Sequence, residues 1–278
     1  MDKTESCGAG STFSDKAEQL EEMIHEAVRK GVCIAFSGGV DSSLLLAVAC
    51  REQKRSGGTV FGVMFDTFLH TKGDEEAARQ VSMECGADFA VLPVNELDNT
   101  AILNNPQDRC YQCKKYLFTR LKEFAKKHQC AVVMDGTNAD DLKAYRPGLT
   151  ALKELGILSP LKEAGFTKED VRRMAAEYGI SAAGKPSNSC LATRLPYGER
   201  LDAAVLERIA AGEDYLSGLG FSTVRIRLHG QVARIELEPE QFSLFLNLRE
   251  DIAARLKELG FIYITLDAEG FRSGSMDL

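Results

Sequence analysis

Residues 32–43 read VCIAFSGGVDSS, and this stretch decides the fold of the chain. Its first five residues are apolar, as in a short buried strand, and an Ala/Leu-rich helix follows at 44–49. The glycine pair between strand and helix lets the backbone turn sharply and approach a ligand closely. Because the N–H groups at the start of the helix face that ligand, we predict a phosphate-binding loop.

The loop offers phosphate both backbone and hydroxyl donors. The residues that we expect to bind phosphate are Ser37, Gly38, Gly39, Ser42 and Ser43. Asp41 either orients the loop or holds Mg²⁺, which prefers oxygen ligands. A Walker A loop is excluded, because no Gly-Lys-Ser/Thr follows the glycines. The alternative is an ordinary glycine turn with a Ser/Asp helix cap.

Strands and helices alternate after this loop. The apolar runs at 59–65, 88–94 and 131–134 predict strands, and helices are predicted near 14–30, 73–85 and 113–128. Such alternation predicts a parallel sheet with helices on both faces. Ligands of these sheets bind at the carboxyl ends of the strands, so residues that follow the strands are candidates for a binding site.

Two further segments fall on that edge of the sheet. Asp66 follows the strand at 59–65 and is a candidate to anchor the adenosine of a nucleotide, with a helix cap or turn as the alternative. Residues 136–141 (GTNADD) follow the strand at 131–134. We expect this segment, including Thr137, to close over the nucleotide or to bind Mg²⁺.

The pattern changes around residues 180–200, where a loop-like stretch precedes a second series of elements. A helix is predicted at 201–219, a hairpin at 223–228 and 232–237, a long helix at 239–259 and a strand at 261–266. We therefore divide the chain into an α/β nucleotide-binding domain at 1–195 and a small C-terminal α/β domain at 196–278. The second domain is assigned to substrate binding and oligomerisation.

Composition narrows the class of protein. The 278 residues carry a formal net charge of −7, and residues 196–278 alone carry nine Lys and Arg against fourteen Asp and Glu. A surface of this charge does not attract nucleic acid. No apolar run reaches the roughly 18 residues of a membrane helix, and the first twenty residues lack the apolar core of a signal peptide. We expect a cytoplasmic protein without a membrane or nucleic-acid partner.

The eight cysteines fall into distinct groups. Four lie in or beside apolar runs and are predicted to pack as small apolar side chains, namely Cys33, Cys50, Cys85 and Cys130. Cys7 lies in the polar N-terminal stretch. Cys110 and Cys113 form a CxxC pair, which is typical of a redox pair, half a zinc site or cluster ligands. Together with the isolated Cys190, they also fit an iron–sulfur cluster with three protein ligands.

Cys190 lies in a Pro/Ser-rich loop with no apolar pattern around it. Lys185 and Arg194 flank it, and cationic neighbours favour the thiolate form of a cysteine.

Arginines of the second predicted domain suggest an anion site. Arg225 and Arg227 alternate on one strand and so point to one face. Two guanidinium groups there suit a phosphate of the substrate. Arg272, with Ser273 and Gly274 as further donors, is a candidate to join them. Surface arginines paired with nearby acids are the alternative.

Seven motifs resemble one family. They are the phosphate loop, 109–114 (RCYQCK), 136–141 (GTNADD), 145–148 with 159–161 (YRPG and SPL), 186–194 (PSNSCLATR) and 270–275 (GFRSGS). They are similar to the LarE family, the ATP-dependent sulfur-inserting enzymes of nickel-pincer cofactor synthesis. The loop itself resembles the SGGxDS signature of PP-loop pyrophosphatases. The resemblance implies a PP-loop (adenine nucleotide alpha hydrolase-like) fold.

The resemblance also implies a reaction. ATP, with Mg²⁺, adenylates the carboxylates of pyridinium-3,5-biscarboxylic acid mononucleotide, with pyrophosphate as the leaving group. A sulfur nucleophile then displaces AMP and gives thiocarboxylates. The family is also associated with ring-shaped homo-oligomers, often hexamers.

Two kinds of cysteine chemistry occur in this family. In some members a single cysteine gives up its sulfur and becomes dehydroalanine, and in others three cysteines bind a 4Fe-4S cluster. Cys190 matches the sacrificial position, but Cys110 and Cys113 place this chain in the second group. We therefore favour a cluster on these three catalytic cysteines.

Two other functions compete with this interpretation. A tRNA thiolase shares the loop and often the three cysteines, but it needs a basic RNA-binding surface, which the acidic residues 196–278 do not offer. An ammonia-dependent ligase of the NAD or GMP synthetase type needs no set of three cysteines.

Overall fold

The computed structural model describes residues 12–69, 73–143, 146–180 and 190–272. Cys7, Lys185, Ser273 and Gly274, to which the sequence analysis assigns roles, lie outside the described residues. None of the described helices combines the length and the apolarity that are needed to cross a membrane.

The described residues form two compact units, each assembled from several stretches of the chain. The first unit contains 12–66, 73–93, 114–143 and 146–180, and the second contains 67–69, 94–113 and 190–272. The predicted division at residue 195 gives two domains that are each continuous in sequence, whereas each of these units combines several stretches of the chain. That the two predicted domains act as functional units stays a prediction.

The first unit is built on four strands, β1 (Val32–Ala35), β2 (Val60–Thr67), β3 (Asp88–Val94) and β4 (Val132–Met134). Their order in the sheet is β3-β2-β1-β4, and β1 pairs in parallel with both β2 and β4. The helices that follow one another up to residue 180 are α1 (Phe13–Val28), α2 (Val40–Ser56), α3 (Gly73–Cys85), α4 (Arg109–Lys127), α5 (Gly148–Glu154), α6 (Pro160–Glu163) and α7 (Lys168–Glu177). The predicted parallel α/β fold is therefore confirmed.

The core of this unit lies around β1 and α2. Val32 and Ile34 of β1 have no exposed surface, and neither have the three consecutive leucines at 44–46 of α2. A helix that is apolar on successive positions is buried on more than one face. Gly62 of β2 lies against α2, where a Cβ atom would come within 3.2 Å of the Leu46 side chain. Sheet and helix therefore pack closely where the phosphate loop begins.

Three of the four cysteines assigned to apolar packing are buried, as predicted. Cys33 and Cys50 are at most 1% exposed and Cys130 is 6% exposed, while Cys85 is half-buried. Burial raises the pKa of Cys50 to about 12. A thiol with such a pKa stays neutral at physiological pH and packs as a small apolar group.

The second unit contains a three-stranded sheet of β5 (Val224–His229), β6 (Val232–Leu237) and β7 (Tyr263–Leu266), in that order. β5 and β6 form the predicted antiparallel hairpin, and β6 pairs with β7 in parallel. The helices of this part are α8 (Ala203–Gly218), α9 (Phe242–Asn247) and α10 (Arg249–Glu258). The sheet is thus mixed.

One predicted element of this unit was wrong. The single helix expected at 239–259 consists of a 3-10 turn at Pro239–Gln241, followed by α9 and α10. The break lies at Leu248, whose φ of −98° and ψ of 5° leave the α-helical region. Phe245 before the break and Ile252 after it both lie in the core.

Candidate functional site

The predicted phosphate loop joins β1 to α2 with the geometry that phosphate binding requires. Gly38 has a φ of +72°, and α2 starts directly after Gly39. The Ser42 hydroxyl donates to the Gly39 carbonyl at 3.1 Å and accepts from the Ser37 N–H at 3.3 Å. The loop is thus held from within, and the start of α2 is directed at any ligand in front of it. Ser43, by contrast, is fully buried.

A cavity of about 480 Å³ lies in front of this loop. Its lining comes from the loop, from the segment after β4 and from three cationic side chains, namely Ser37, Gly39, Asp41, Ser42, Lys114, Asp135, Gly136, Thr137, Asn138, Asp140, Asp141, Arg146 and Lys168. The volume is in the range of small-ligand sites, roughly 300–1,000 Å³. The structure therefore brings the loop and the GTNADD segment together at one edge of the sheet, as the sequence predicted.

Asp41 lies at the centre of the charges in this cavity. One of its carboxylate oxygens accepts from the Asn138 side chain at 3.0 Å, and the other binds the Lys168 ammonium. Lys114 lies 3.7 Å from the Asp135 carboxylate, and Arg146 lies 2.9 Å from the Asp141 carboxylate. Each cation of the cavity is thus held by an acid of the same cavity, where it can also meet phosphate oxygens.

Asp135 anchors the segment after β4. It is 5% exposed and accepts hydrogen bonds from Ser159, at 2.5 Å, and from the Thr137 hydroxyl. Thr137, which was predicted to bind the nucleotide, therefore lines the cavity while its hydroxyl donates to Asp135.

Asp66 is exposed within β2 and is not part of the cavity lining. Its role in binding adenosine therefore stays a prediction.

The cations of this cavity were not predicted from the sequence. Lys168 is the first residue of α7, and only the capping box of Thr167 and Asp170 marks that helix start. Lys114 ends the RCYQCK motif, yet nothing in its local pattern relates it to Asp135. These contacts arise from chain segments far apart in sequence, and no periodicity could have found them.

The three candidate cysteines all lie in the second unit. Cys110 and Cys113 are the second and fifth residues of α4, and Cys190 precedes a 3-10 turn at Leu191–Arg194. Cys110 is exposed, whereas Cys113 and Cys190 pack against the apolar core of this unit. That apolar packing of Cys190 was not visible in its local sequence.

Burial and neighbouring charges both act on these thiols. Burial raises the pKa of the Cys113 thiol, and the charges of Cys190, Glu96 and Cys110 raise it further, while Arg109 lowers it. Burial is also the main cause that raises the pKa of Cys190, and Arg109 again opposes it. Among the described residues, no group of three His, Cys, Asp or Glu side chains is placed to hold a metal ion.

Arg194, one of the two cations predicted to stabilise a Cys190 thiolate, is directed to other groups. It donates to the Cys190 carbonyl at 3.2 Å, and its guanidinium pairs with Glu213 at 2.8 Å. Burial raises the pKa of the Cys190 thiol and the charge of Arg109 lowers it, and because Lys185 lies outside the described residues, the stabilised thiolate stays a prediction. The same carbonyl also accepts from the Thr193 N–H at 3.0 Å. These bonds fix the backbone of Cys190.

The three candidate phosphate-binding arginines differ in their surroundings. Arg227 is buried, with its Nε 3.1 Å from Glu236 and its Nη1 donating to the Thr193 carbonyl at 2.6 Å. Arg225 donates to the Val224 carbonyl, and its buried Nε has no partner among the described residues. Burial, then the charge of Arg194, lowers the pKa of Arg225.

Arg272 pairs with two acids of the last described segment. Its Nη2 lies 3.4 Å from Asp267, its Nη1 binds Glu269, and its buried Nε has no partner among the described residues. Arg225 and Arg272 therefore each keep one unused buried donor, whereas Arg227 is mainly bound to protein groups.

The chain is similar to one known family and to several known proteins. A family described as PP-loop domain matches residues 13–108. The pyridinium-3,5-bisthiocarboxylic acid mononucleotide synthase of Lactiplantibacillus plantarum is 39% identical over 96% of this chain and 95% of its own length. An uncharacterized protein of Synechocystis is 36% identical over 95% of this chain and 98% of its own. A tRNA-specific 2-thiouridylase of Rickettsia bellii is 24% identical over 56% of this chain and 51% of its own.

We expect Lys168→Met to weaken the binding of inorganic pyrophosphate roughly ten- to hundredfold, because a hydrogen bond to a charged group contributes about 1.5–3 kcal/mol. Isothermal titration calorimetry with pyrophosphate and Mg²⁺ measures this loss. The matched control is Lys143→Met, since Lys143 is 77% exposed and does not line the cavity. Equal affinities in the two variants would remove Lys168 from the site.

Proposed function

This chain belongs to the LarE-like family of PP-loop ATP pyrophosphatases, and on that premise we propose that it is a pyridinium-3,5-bisthiocarboxylic acid mononucleotide synthase. One observation carries the proposal: the similarity to the Lactiplantibacillus plantarum synthase extends over 95% of that protein. It includes both units, whereas the similarity to the tRNA thiolase covers 56% of this chain. ATP is bound through the PP-loop.

The first step that we propose is adenylation of the substrate. A carboxylate of pyridinium-3,5-biscarboxylic acid mononucleotide attacks the α-phosphorus of ATP, the bond to the β,γ-pyrophosphate breaks, and an acyl adenylate forms. The loop at Ser37–Ser43 and the Lys168 ammonium stabilise the charge that develops on the leaving pyrophosphate.

The cavity also contains oxygen ligands of the kind that bind Mg²⁺. Asp41 and Asp135 present carboxylates beside the loop, and carboxylate oxygens are ligands that Mg²⁺ accepts. Bound there, the ion would neutralise phosphate charge. Because Lys168 binds Asp41, we infer that Lys168 turns from this carboxylate to the phosphates when ATP and Mg²⁺ enter.

The second step forms the carbon–sulfur bond. A sulfur nucleophile attacks the acyl carbon, and AMP leaves. Three thiols are a donor set whose chemistry suits an iron–sulfur cluster, and Cys110, Cys113 and Cys190, which belong to the same unit, would hold it. A 4Fe-4S cluster is larger than a single ion, so its ligands do not need to meet at one point. It would supply the sulfur nucleophile; otherwise Cys190 gives up its own sulfur.

The charge of the C-terminal residues supports this function over that of a tRNA thiolase. Residues 196–278 carry a net charge of −5, which is unsuited to a nucleic-acid partner. Arg225 and Arg227 lie on the same strand, which supports their assignment to the phosphate of the substrate. The Nε of Arg225 and Arg272 has no partner among the described residues, but the same is true of Arg208 and Arg234. The hexameric assembly and the cytoplasmic location stay predictions.

The product of ATP cleavage tests the proposed function. With the pyridinium dicarboxylate mononucleotide present, we expect AMP and pyrophosphate in equal amounts, because the loop holds the β- and γ-phosphates as one leaving unit. Asp41→Asn should lower this rate at least tenfold, whereas Asp88→Asn, at an exposed position, should not. Chromatography of the nucleotides measures both; ADP as the main product would contradict the assignment.

Iron analysis tests the three cysteines. Protein that is reconstituted anaerobically should hold about four irons per chain and absorb broadly in the visible range. Cys110→Ala, Cys113→Ala and Cys190→Ala should each lose the iron, whereas Cys130→Ala, a buried cysteine of the first unit, should keep it. If the wild type binds no iron and Cys190 loses the mass of H₂S in one turnover, the sacrificial route is correct.

Substrate titration tests the arginines. Arg225→Ala should weaken substrate binding roughly ten- to hundredfold through the loss of charge-assisted hydrogen bonds, while ATP binding stays unchanged. Arg249→Ala is the control, because Arg249 is 62% exposed and pairs with Glu250. Calorimetry with each ligand separates the two effects. An unchanged affinity for the substrate would return Arg225 to a structural role.

A further inference from the structure

Arg109 is a buried cation with neutral partners. It is 4% exposed, and its Nη1 donates to the Asn105 side-chain oxygen and, at 3.3 Å, to the Ala192 carbonyl. Its guanidinium also lies 5.6 Å from the centre of the Tyr197 ring. None of the partners that the described residues give Arg109 is a carboxylate.

Such an arrangement is costly unless a negative charge is present. A buried charge without a counter-ion is strongly unfavourable in proteins. Arg109 is in addition the first residue of α4, where the helix dipole is positive and a cation is disfavoured. Both effects favour an anion close to this guanidinium.

One group beside Arg109 that can become anionic is the sulfur of Cys110. The Arg109 Nη2 lies 3.9 Å from the Cys110 Sγ. The charge of Arg109 also opposes the rise in the pKa of the Cys113 and Cys190 thiols, whereas the carboxyl group of the buried Glu96 adds to that rise. The guanidinium therefore lies beside the sulfur of Cys110, and its bond to the Ala192 carbonyl holds it next to the chain that follows Cys190.

Asn105 holds this guanidinium in place. Its amide nitrogen donates to the carbonyls of Leu195 and Pro196, at 3.0 and 2.8 Å, while its side-chain oxygen accepts from Arg109. Asn105 itself is fully buried and has a φ of +47°. The pair thus joins the start of α4, with Cys110, to the chain that follows Cys190.

We propose that Arg109 is the counter-ion of the sulfur centre formed by Cys110, Cys113 and Cys190, held in position by Asn105. The inference rests on the proposed cluster. A cluster ligated by thiolates is anionic, and reduction adds one more negative charge. A fixed cation beside the sulfurs favours the reduced state and so raises the reduction potential, which depends on net charge and on hydrogen bonds to the sulfurs.

The test measures the midpoint potential of the cluster in reconstituted full-length protein by anaerobic redox titration. Arg109→Gln removes the charge but can still donate to Asn105, and we expect a more negative potential. Arg109→Lys keeps the charge and should restore most of the wild-type value. Asn105→Asp should shift the potential in the same direction as Arg109→Gln, because it gives Arg109 a carboxylate partner. Arg249→Gln, on the surface of the same unit, is the matched control.

The outcomes separate this inference from the proposed function. A wild type without iron would contradict the cluster and this inference together. Iron in the wild type with an unchanged potential in Arg109→Gln would overturn the role of Arg109 alone. Should that variant not fold, Asn105→Asp decides, since an unchanged potential there has the same meaning. A shift in Arg249→Gln as large as that in Arg109→Gln would also contradict a local counter-ion.

Discussion

The backbone conformation of Gly38 is the constraint on which the phosphate site depends. Its φ of +72° lies in the left-handed region, and a Cβ atom there would come within 3.1 Å of the Ala78 Cα. Glycine avoids both the torsional strain and the close contact. Only with this turn does α2 begin directly after β1, with Ser37 and Ser42 bonded to each other across the loop. The cavity in front of the loop follows from that junction.

The charges of the cavity are paired with groups of the protein. Asp41 binds Lys168 and Asn138, and Asp135 binds Thr137 and Ser159. Such pairing keeps the acids and cations in position at a modest cost in stability, since each charge has a partner. The arrangement suits a triphosphate with its divalent cation, because that ligand offers a new partner to both signs of charge.

The second unit positions Cys190 through buried ion pairs. Glu213 binds the Arg194 guanidinium and also accepts from the Ile226 N–H at 2.8 Å. Arg227, on the same strand, reaches the Thr193 carbonyl. The turn after Cys190 is therefore fixed to β5, the strand that carries the candidate phosphate-binding arginines. Buried ion pairs contribute little net stability but hold a geometry, and this geometry places a cysteine backbone.

The sequence by itself determined the parallel α/β fold, the phosphate loop and the β5–β6 hairpin, since each depends on local periodicity and on glycine positions. It also predicted that the GTNADD segment lies beside the loop, because strand ends of a parallel sheet share one edge. Only the tertiary structure decided which charges meet: Asp41 and Lys168 are separated by 127 residues. It alone also decided the helix break at Leu248, the packing of Cys190 against the core and the close approach of the Arg109 guanidinium to the Cys110 sulfur. Local patterns report which faces are buried, whereas contacts between distant segments depend on how loops pack, which no local pattern encodes.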